Sequence, residues 1–337
     1  MLDLWRRVYS VADRLYALAP WRWMEGEELF GVEDPITKEI GFIYVMGHRG
    51  EHFGISRYPG TEGLRVLQSL QDCDINDPVS GSEILLGSCQ LQLSWEDREE
   101  LDQRDKQLVK ELGLKYRGTQ AWPFFRSYEP SLYPWFLTEA QLLTLSVALE
   151  QSLQVFQRLQ NDPVLLDKMK ENHYLVRVLA SDTWRDEIRE VLPAVKKITV
   201  VSQIPSLPKL KSIQKKGCVE IDLLLFPATR GDDPEGRPFF PYLLMMVEAT
   251  SGIILSGFDL LQPFPSLDAM YGKVAQTVCV SMLKDKIVPK EICVKREVMA
   301  GVLAPLADEL GLQIKLKKHL PELDKAARGL MGALRNR

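Results

Sequence analysis

No Cys-x-x-Cys pair occurs in this chain, and its five cysteines, Cys73, Cys89, Cys218, Cys279 and Cys293, fall at no paired spacing. An odd number rules out a fully paired disulfide framework, so they read as buried thiols. Histidine is equally scarce, at four residues. No G-x-G-x-x-G opens a helix after a strand, and neither G-x-x-x-x-G-K-[ST] nor G-x-S-x-G is present. Those absences remove the dinucleotide-binding, P-loop and α/β-hydrolase readings. An unbroken apolar run is missing from the start of the chain too, where Asp3, Arg6, Arg7, Asp13 and Arg14 interrupt the pattern. A secretory core or a membrane span does not tolerate such a density of charge, so the expectation is a cytoplasmic protein without a membrane partner. Finally, 42 Lys+Arg against 46 Asp+Glu give a net charge of −4. Bulk charge therefore does not advertise nucleic acid, although a local basic face stays open.

What is present is ordinary globular composition, 45% apolar and 26% charged, in 337 residues. That length exceeds what one core usually organises and suggests two domains. In the first eighteen residues Trp5, Val8, Tyr9, Ala12, Leu15 and Tyr16 follow helical spacing, and Pro20 ends the run. Strand patterns follow at 28–34, 40–47 and 51–58, joined by connections short enough to demand an antiparallel meander. A helix after Thr61, a strand over 84–95, a helix over 97–112 and a short strand in GLKYRG come next. Residues 122–141 hold three prolines and seven aromatics and read as ordered but irregular. Thr138 then caps a helix to about residue 160.

Residues 161–217 read as a joining region that includes strand-like YLVRVLA and ITVVSQ. From 218 the pattern restarts with VEIDLLLF, YLLMMVEA, GIILSGFDL, a helix over 266–283, EICVKRE, a second helix and ELGLQIKL, before a final helix from Pro321. The element order of 28–160 repeats in 218–334. KELGLKY (110–116) echoes DELGLQI (308–314), with Gly113 and Gly311 as helix-ending glycines, and QLQLSWED (90–97) echoes EICVKREV (291–298). The expectation is a tandem duplication, with domains at 1–160 and 218–337 around the 161–217 joining region.

A three-strand meander followed by two helix-to-strand units resembles the ribonuclease H-like fold of ribonucleases H, integrases and transposases. The expected class is thus α/β with mixed sheets, built as two such modules. Separately, residues 29–64 and 123–141 resemble a bacterial family of domains of unknown function, which implies no activity.

Enzymes of the ribonuclease H-like class hold two divalent metals with acids on the first strand, near the end of the fourth and on a late helix. Hard cations such as Mg²⁺ need oxygen ligands of this kind. The resemblance implies Asp222, Glu297 and Glu322 or Asp324 in those places, with Glu248 able to join them. Lys295 and Arg296 sit where such a site prefers acids, and are placed to neutralise the carboxylates instead. The plainer reading has Glu220 and Asp222 on a salt-bridged strand face, Glu248 closing a turn and Glu297 starting a helix. In the first half the matching acids, Glu33 or Asp34, Glu96 or Asp97, and Glu139, all sit at turns or helix starts.

Three further sets carry weaker signals. His48 and His52, with Arg49 and Glu51 between them, offer a transition-metal pair or cross-strand polar contacts. Lys209, Lys211, Lys215 and Lys216, with Lys315, Lys317 and Lys318, would make a phosphate-attracting stripe if brought together. Trp122, Phe125, Arg126 and Trp135 could stack bases, grip a peptide, line a small-molecule site between the halves or form the seam between them. The leading expectation is a catalytically degenerate scaffold for a protein or nucleic-acid partner, with no cofactor. The alternative is a nuclease or strand-transfer enzyme using Mg²⁺ or Mn²⁺.

Overall fold

The computed structural model describes residues 1–24, 28–48, 50, 52–72, 84–167, 169–195, 207–226, 228–229, 231, 236–256 and 259–335. The expected strand ITVVSQ and residues 73–82 of the expected 72–82 loop lie outside them. The chain forms two compact units, Met1–Val195 and Lys196–Arg337, each with a mixed sheet of its own.

In the first unit, β1 (Phe30–Glu33), β2 (Ile40–Met46), β3 (Phe53–Pro59), β4 (Gln90–Glu96) and β5 (Trp122–Tyr128) run as an antiparallel meander. On the far side of β1, β6 (His173–Ala180) adds in parallel, and β7 (Thr183–Glu190) pairs antiparallel with it. The resulting order is β5-β4-β3-β2-β1-β6-β7. Period-two alternation buries both faces of this sheet. Phe30, Val32, Ile43, Val45, Ile55, Leu93, Trp95 and Phe125 share a core with α1 (Leu2–Leu18) and α4 (Glu139–Asn161). Phe42 and Tyr58 instead meet Leu64 and Leu67 of α2 (Gly60–Gln71). Thr138 and Gln141 form a reciprocal capping box that fixes where α4 begins.

Several expectations change here. GLKYRG forms no strand, and the strand is the stretch expected to be irregular, Trp122–Tyr128. Its Pro123 argued against a strand, but β5 lies at the sheet edge, where a missing N–H breaks no second ladder. Residues 97–112 divide into a short turn of 3₁₀-helix, Arg98–Glu100, and α3 (Gln103–Glu111), which has its own capping box from Asp102 and Asp105. The hairpin 173–190 belongs to the first sheet rather than to a joining region, so the first unit extends to Val195.

The second unit orders its strands β10-β9-β8-β11-β12. These are β8 (Cys218–Leu225), β9 (Tyr242–Glu248), β10 (Asp259–Leu261), β11 (Glu291–Val294) and β12 (Gln313–Leu316). β9 runs antiparallel to both β8 and β10, whereas β11 runs parallel to both β8 and β12. Helices α6 (Leu267–Asp285) and α7 (Glu297–Leu310) carry buried Val274, Val278, Met299 and Leu303, and α8 (Pro321–Arg335) closes the unit. A five-residue helix, α5 (Leu207–Lys211), precedes β8.

The two sheets are wired differently, which corrects the expectation of two tandem copies of one fold. β4 returns beside β3 and antiparallel to it, whereas its supposed counterpart β11 crosses over to lie parallel to β8. A linear order of strands and helices does not encode pairing, so the two stretches matched in order without matching in space. The echo at the helix ends is real but local: Gly113 and Gly311 both take positive φ, +73° and +59°, as helix-terminating residues do.

Candidate functional site

β8 is the base of the site. Alternation sends Cys218, Glu220, Asp222 and Leu224 to one face of the second sheet. α8 covers that face, packing Leu323, with Leu320 just before the helix, against Leu243, Met245, Val247 and Cys293. Glu220 and Asp222 are only 3% and 4% exposed, and a carboxylate in such a layer requires a partner.

Each has one. Arg296, immediately before α7, donates from Nε and Nη2 to Asp222 Oδ1 at 3.0 and 2.6 Å. The same oxygen accepts the Leu223 N–H at 2.9 Å, and Arg296 Nη2 also donates to the Leu223 carbonyl. Glu220 Oε2 accepts the N–H of Leu323 at 2.8 Å. That amide lies in the first turn of α8, where unpaired N–H groups and the helix dipole favour an anion.

The remaining candidate acids do not join them. Glu248 accepts the Ser251 hydroxyl at 2.7 Å and the Ser251 and Thr250 amides at 2.6 and 3.1 Å. Hydrogen bonds from Ser251 first, and from Thr250 after it, hold its carboxyl below the usual range. Glu297 is exposed in the first turn of α7. Glu322 lies in the first turn of α8 near Lys325, at 3.9 Å, and Asp324 accepts the Leu320 N–H at 3.3 Å. Among the described residues, none of these four acids falls with Asp222 in a group of three possible metal ligands.

One grouping of possible ligands does occur among the described residues: Cys218, Glu291 and Cys293, with ligand atoms all within 4.8 Å of one another. The two sulfurs are 3.2 Å apart, and Glu291 Oε1 accepts from Cys293 Sγ at 3.3 Å and from Cys218 Sγ at 3.7 Å. Lys315 pairs with the other oxygen of Glu291. That pairing comes first among the causes that lower the Glu291 carboxyl, while a hydrogen bond to the Cys293 sulfur raises Lys317. Burial comes first in raising the Cys218 thiol to about 12, followed by the neighbouring Cys293. Sequence reading missed this cluster because Cys218 lies 73 residues before Glu291 and its neighbour Cys293. Only the parallel pairing of β8 and β11 reveals it.

Residues 5–177 match the family model described as Domain of unknown function (DUF7309), just over half of the chain. The chain belongs to this family. Residues 204–331 match a second model, Domain of unknown function (DUF6930), which contains every strand of the second sheet. No curated protein matches the sequence.

Within the DUF7309 span, the expected binding residues have structural partners. Arg126 is 6% exposed and grips Asp105 through Nη1–Oδ1 and Nη2–Oδ2 contacts of 3.0 and 2.6 Å. Its guanidinium also lies 3.7 and 4.5 Å from the ring centroids of Phe124 and Phe136. Phe125 is buried between Trp5 and Tyr9. Trp135 exchanges both backbone hydrogen bonds with Ser127, at 2.9 and 2.8 Å. Trp122 stays half-buried beside Tyr116 and lines a surface cleft with Asp97 and Arg98. Phe125 and Arg126 are thus enclosed within the first unit.

His52 sets Nε2 3.1 Å from Gln92 Nε2 and Nδ1 3.5 Å from Glu96, while His48 is exposed in the turn before it. Among the described residues, neither histidine falls in a group of three possible metal ligands, and Arg49 and Glu51 lie outside the described residues. In the second unit, Lys215 donates to the Gly311 carbonyl at 3.2 Å, just before β12, and Lys317 follows just after that strand. Lys216 is exposed. Among the described residues, no helix is long and apolar enough to cross a membrane.

Proposed function

We propose that the second unit is a ribonuclease H-like module without the nuclease metal centre, serving as a scaffold for a protein or nucleic-acid partner. The carrying observation is the Asp222–Arg296 pair: the strand-one carboxylate, which would ligate metal in an active enzyme, is held by a guanidinium at 2.6 Å. A cation already fixed there opposes a second one by direct repulsion. The antiparallel β10-β9-β8 group followed by parallel β11 and β12 supports the fold part of the reading. Lys216, Lys317 and Lys318, exposed near or after the edge strand, offer a cationic rim for an acidic partner. A cytoplasmic setting belongs to the same proposal, supported by thiols rather than disulfides at Cys218, Cys279 and Cys293.

The test is incubation with single- and double-stranded DNA and RNA in Mg²⁺ or Mn²⁺. The scaffold reading expects no cleavage and no rise in melting temperature with either metal. Cleavage that Asp222→Asn abolishes would establish the enzyme alternative instead. Retention of nucleic acid that weakens steeply with salt would identify the partner as nucleic acid, and its absence would direct the search to proteins.

A further inference from the structure

The geometry points to a zinc site at Cys218, Glu291 and Cys293, with two thiolates and one carboxylate as ligands. It is independent of the acids on which the nuclease question turns.

Strand register creates the cluster. Cys218 lies opposite Glu291 on the parallel β8–β11 ladder, and Cys293 lies opposite Glu220, two residues further on. Residues 291 and 293 point to the same face by alternation, so the three side chains make a triangle on one side of the sheet. Cys293 is fully buried, while Cys218 and Glu291 are partly exposed. An ion would therefore have a protein floor and a solvent-facing entrance.

Register also decides between a metal and a disulfide. Cys218 and Cys293 are diagonal neighbours on adjacent parallel strands, where a spacing of about 4.8 Å and a two-residue offset of about 3.3 Å per residue separate Cα atoms by roughly 8 Å. A disulfide needs Cα atoms closer than about 7 Å, so bonding these sulfurs would require the strands to shift. A bridging ion spans the diagonal without that movement. Zinc–sulfur bonds of about 2.3 Å in tetrahedral geometry place two thiolates about 3.8 Å apart, and the present 3.2 Å separation needs only a small side-chain adjustment to reach it.

Ligand chemistry selects the metal. Two thiolates are too soft for Mg²⁺ or Ca²⁺ and suit Zn²⁺, with the carboxylate as a third ligand. Three protein ligands leave the fourth tetrahedral position to water. Three anions around a divalent ion leave one unit of negative charge, and Lys315 on Glu291 and Lys317 at Cys293 supply outer-shell donors that offset it. Binding releases the thiol protons as the ligands become thiolates.

The experiment uses the full chain, stripped with a chelator, kept reduced and titrated with Co²⁺ as a spectroscopic stand-in. The expected result is a sulfur-to-cobalt charge-transfer band saturating at one equivalent and abolished by one equivalent of Zn²⁺. Cys218→Ser and Cys293→Ser should each remove the band, and Glu291→Gln should weaken Co²⁺ affinity at least tenfold. Cys279→Ser, which removes a thiol buried on α6, should leave it intact. Because Cys293 is a core residue, partly exposed Cys218 provides the variant expected to keep the fold. No band in the wild-type chain, or a band that survives both substitutions, overturns the site. So does a mass lower by two hydrogens that maps to a Cys218–Cys293 disulfide. Nuclease activity has no bearing on any of these readouts, so this proposal and the scaffold reading fail separately.

Discussion

Glu220 Oε2 accepts the backbone N–H of Leu323 at 2.8 Å, tying the first strand of the second sheet to the opening turn of the helix that covers it. Glu220→Ala leaves that amide without its buried acceptor and is expected to destabilise the chain by about 1–3 kcal/mol. Glu220→Gln retains an acceptor oxygen and should lose less. Urea denaturation with an unchanged m-value checks both.

Arg296→Ala strands the carboxylate of Asp222 in a site that is 4% exposed. The expected loss is about 3–5 kcal/mol, the usual cost of breaking a buried pair from one side. Adding Asp222→Asn to that variant should recover part of the loss. A double-mutant cycle measures the coupling, and strict additivity would contradict the pairing described.

Arg126→Lys keeps the charge but loses the two-point grip on Asp105 and the planar contact with Phe124 and Phe136. A lysine cannot replace a bidentate, stacked guanidinium. A loss of about 2 kcal/mol or more is expected by thermal or chemical denaturation. Stability unchanged within error would contradict a structural role.

Asp34 gives a pH prediction. Burial alone would raise its carboxyl, but hydrogen bonds from Thr37, Thr144 and Ile36 outweigh it and leave the carboxyl below its usual range. The folded state therefore prefers the ionised form. The resulting stability is fully present above the unfolded-state value and disappears as pH falls through the depressed folded value. Wild type should lose more stability than Asp34→Asn between neutral pH and about pH 3, as followed by urea midpoints. Parallel curves would remove Asp34 as the cause.

The three-strand meander was legible in the sequence because short connections leave no other pairing, and β2 and β3 begin and end within two residues of their apolar patterns. The capped helix after Thr138 was equally clear. What stayed hidden was pairing between distant strands: the parallel β1–β6 contact, the position of β4 and the alignment of β8 with β11. Alternation tells which residues share a face, but not which strand lies alongside. Asp222 could be picked out as a costly acid amid VEIDLLLF, and Arg296 as a nearby cation. Cys218 and Cys293 could not be joined, since each reads locally as an ordinary strand thiol.

The parallel contact between β1 and β6 also constrains the order in which the first unit assembles. β1 to β5 pair with sequence neighbours, and hairpin-like contacts of this kind close quickly. β6 begins only at His173, beyond the long α4 helix, yet it covers the open side of the second-earliest part of the chain, Gly31–Val32. During synthesis on the ribosome, that edge of β1 must wait for about 140 more residues before its partner exists. A nascent chain halted before β6 would present β1 as an open edge strand, the kind of surface on which intermolecular strand pairing begins.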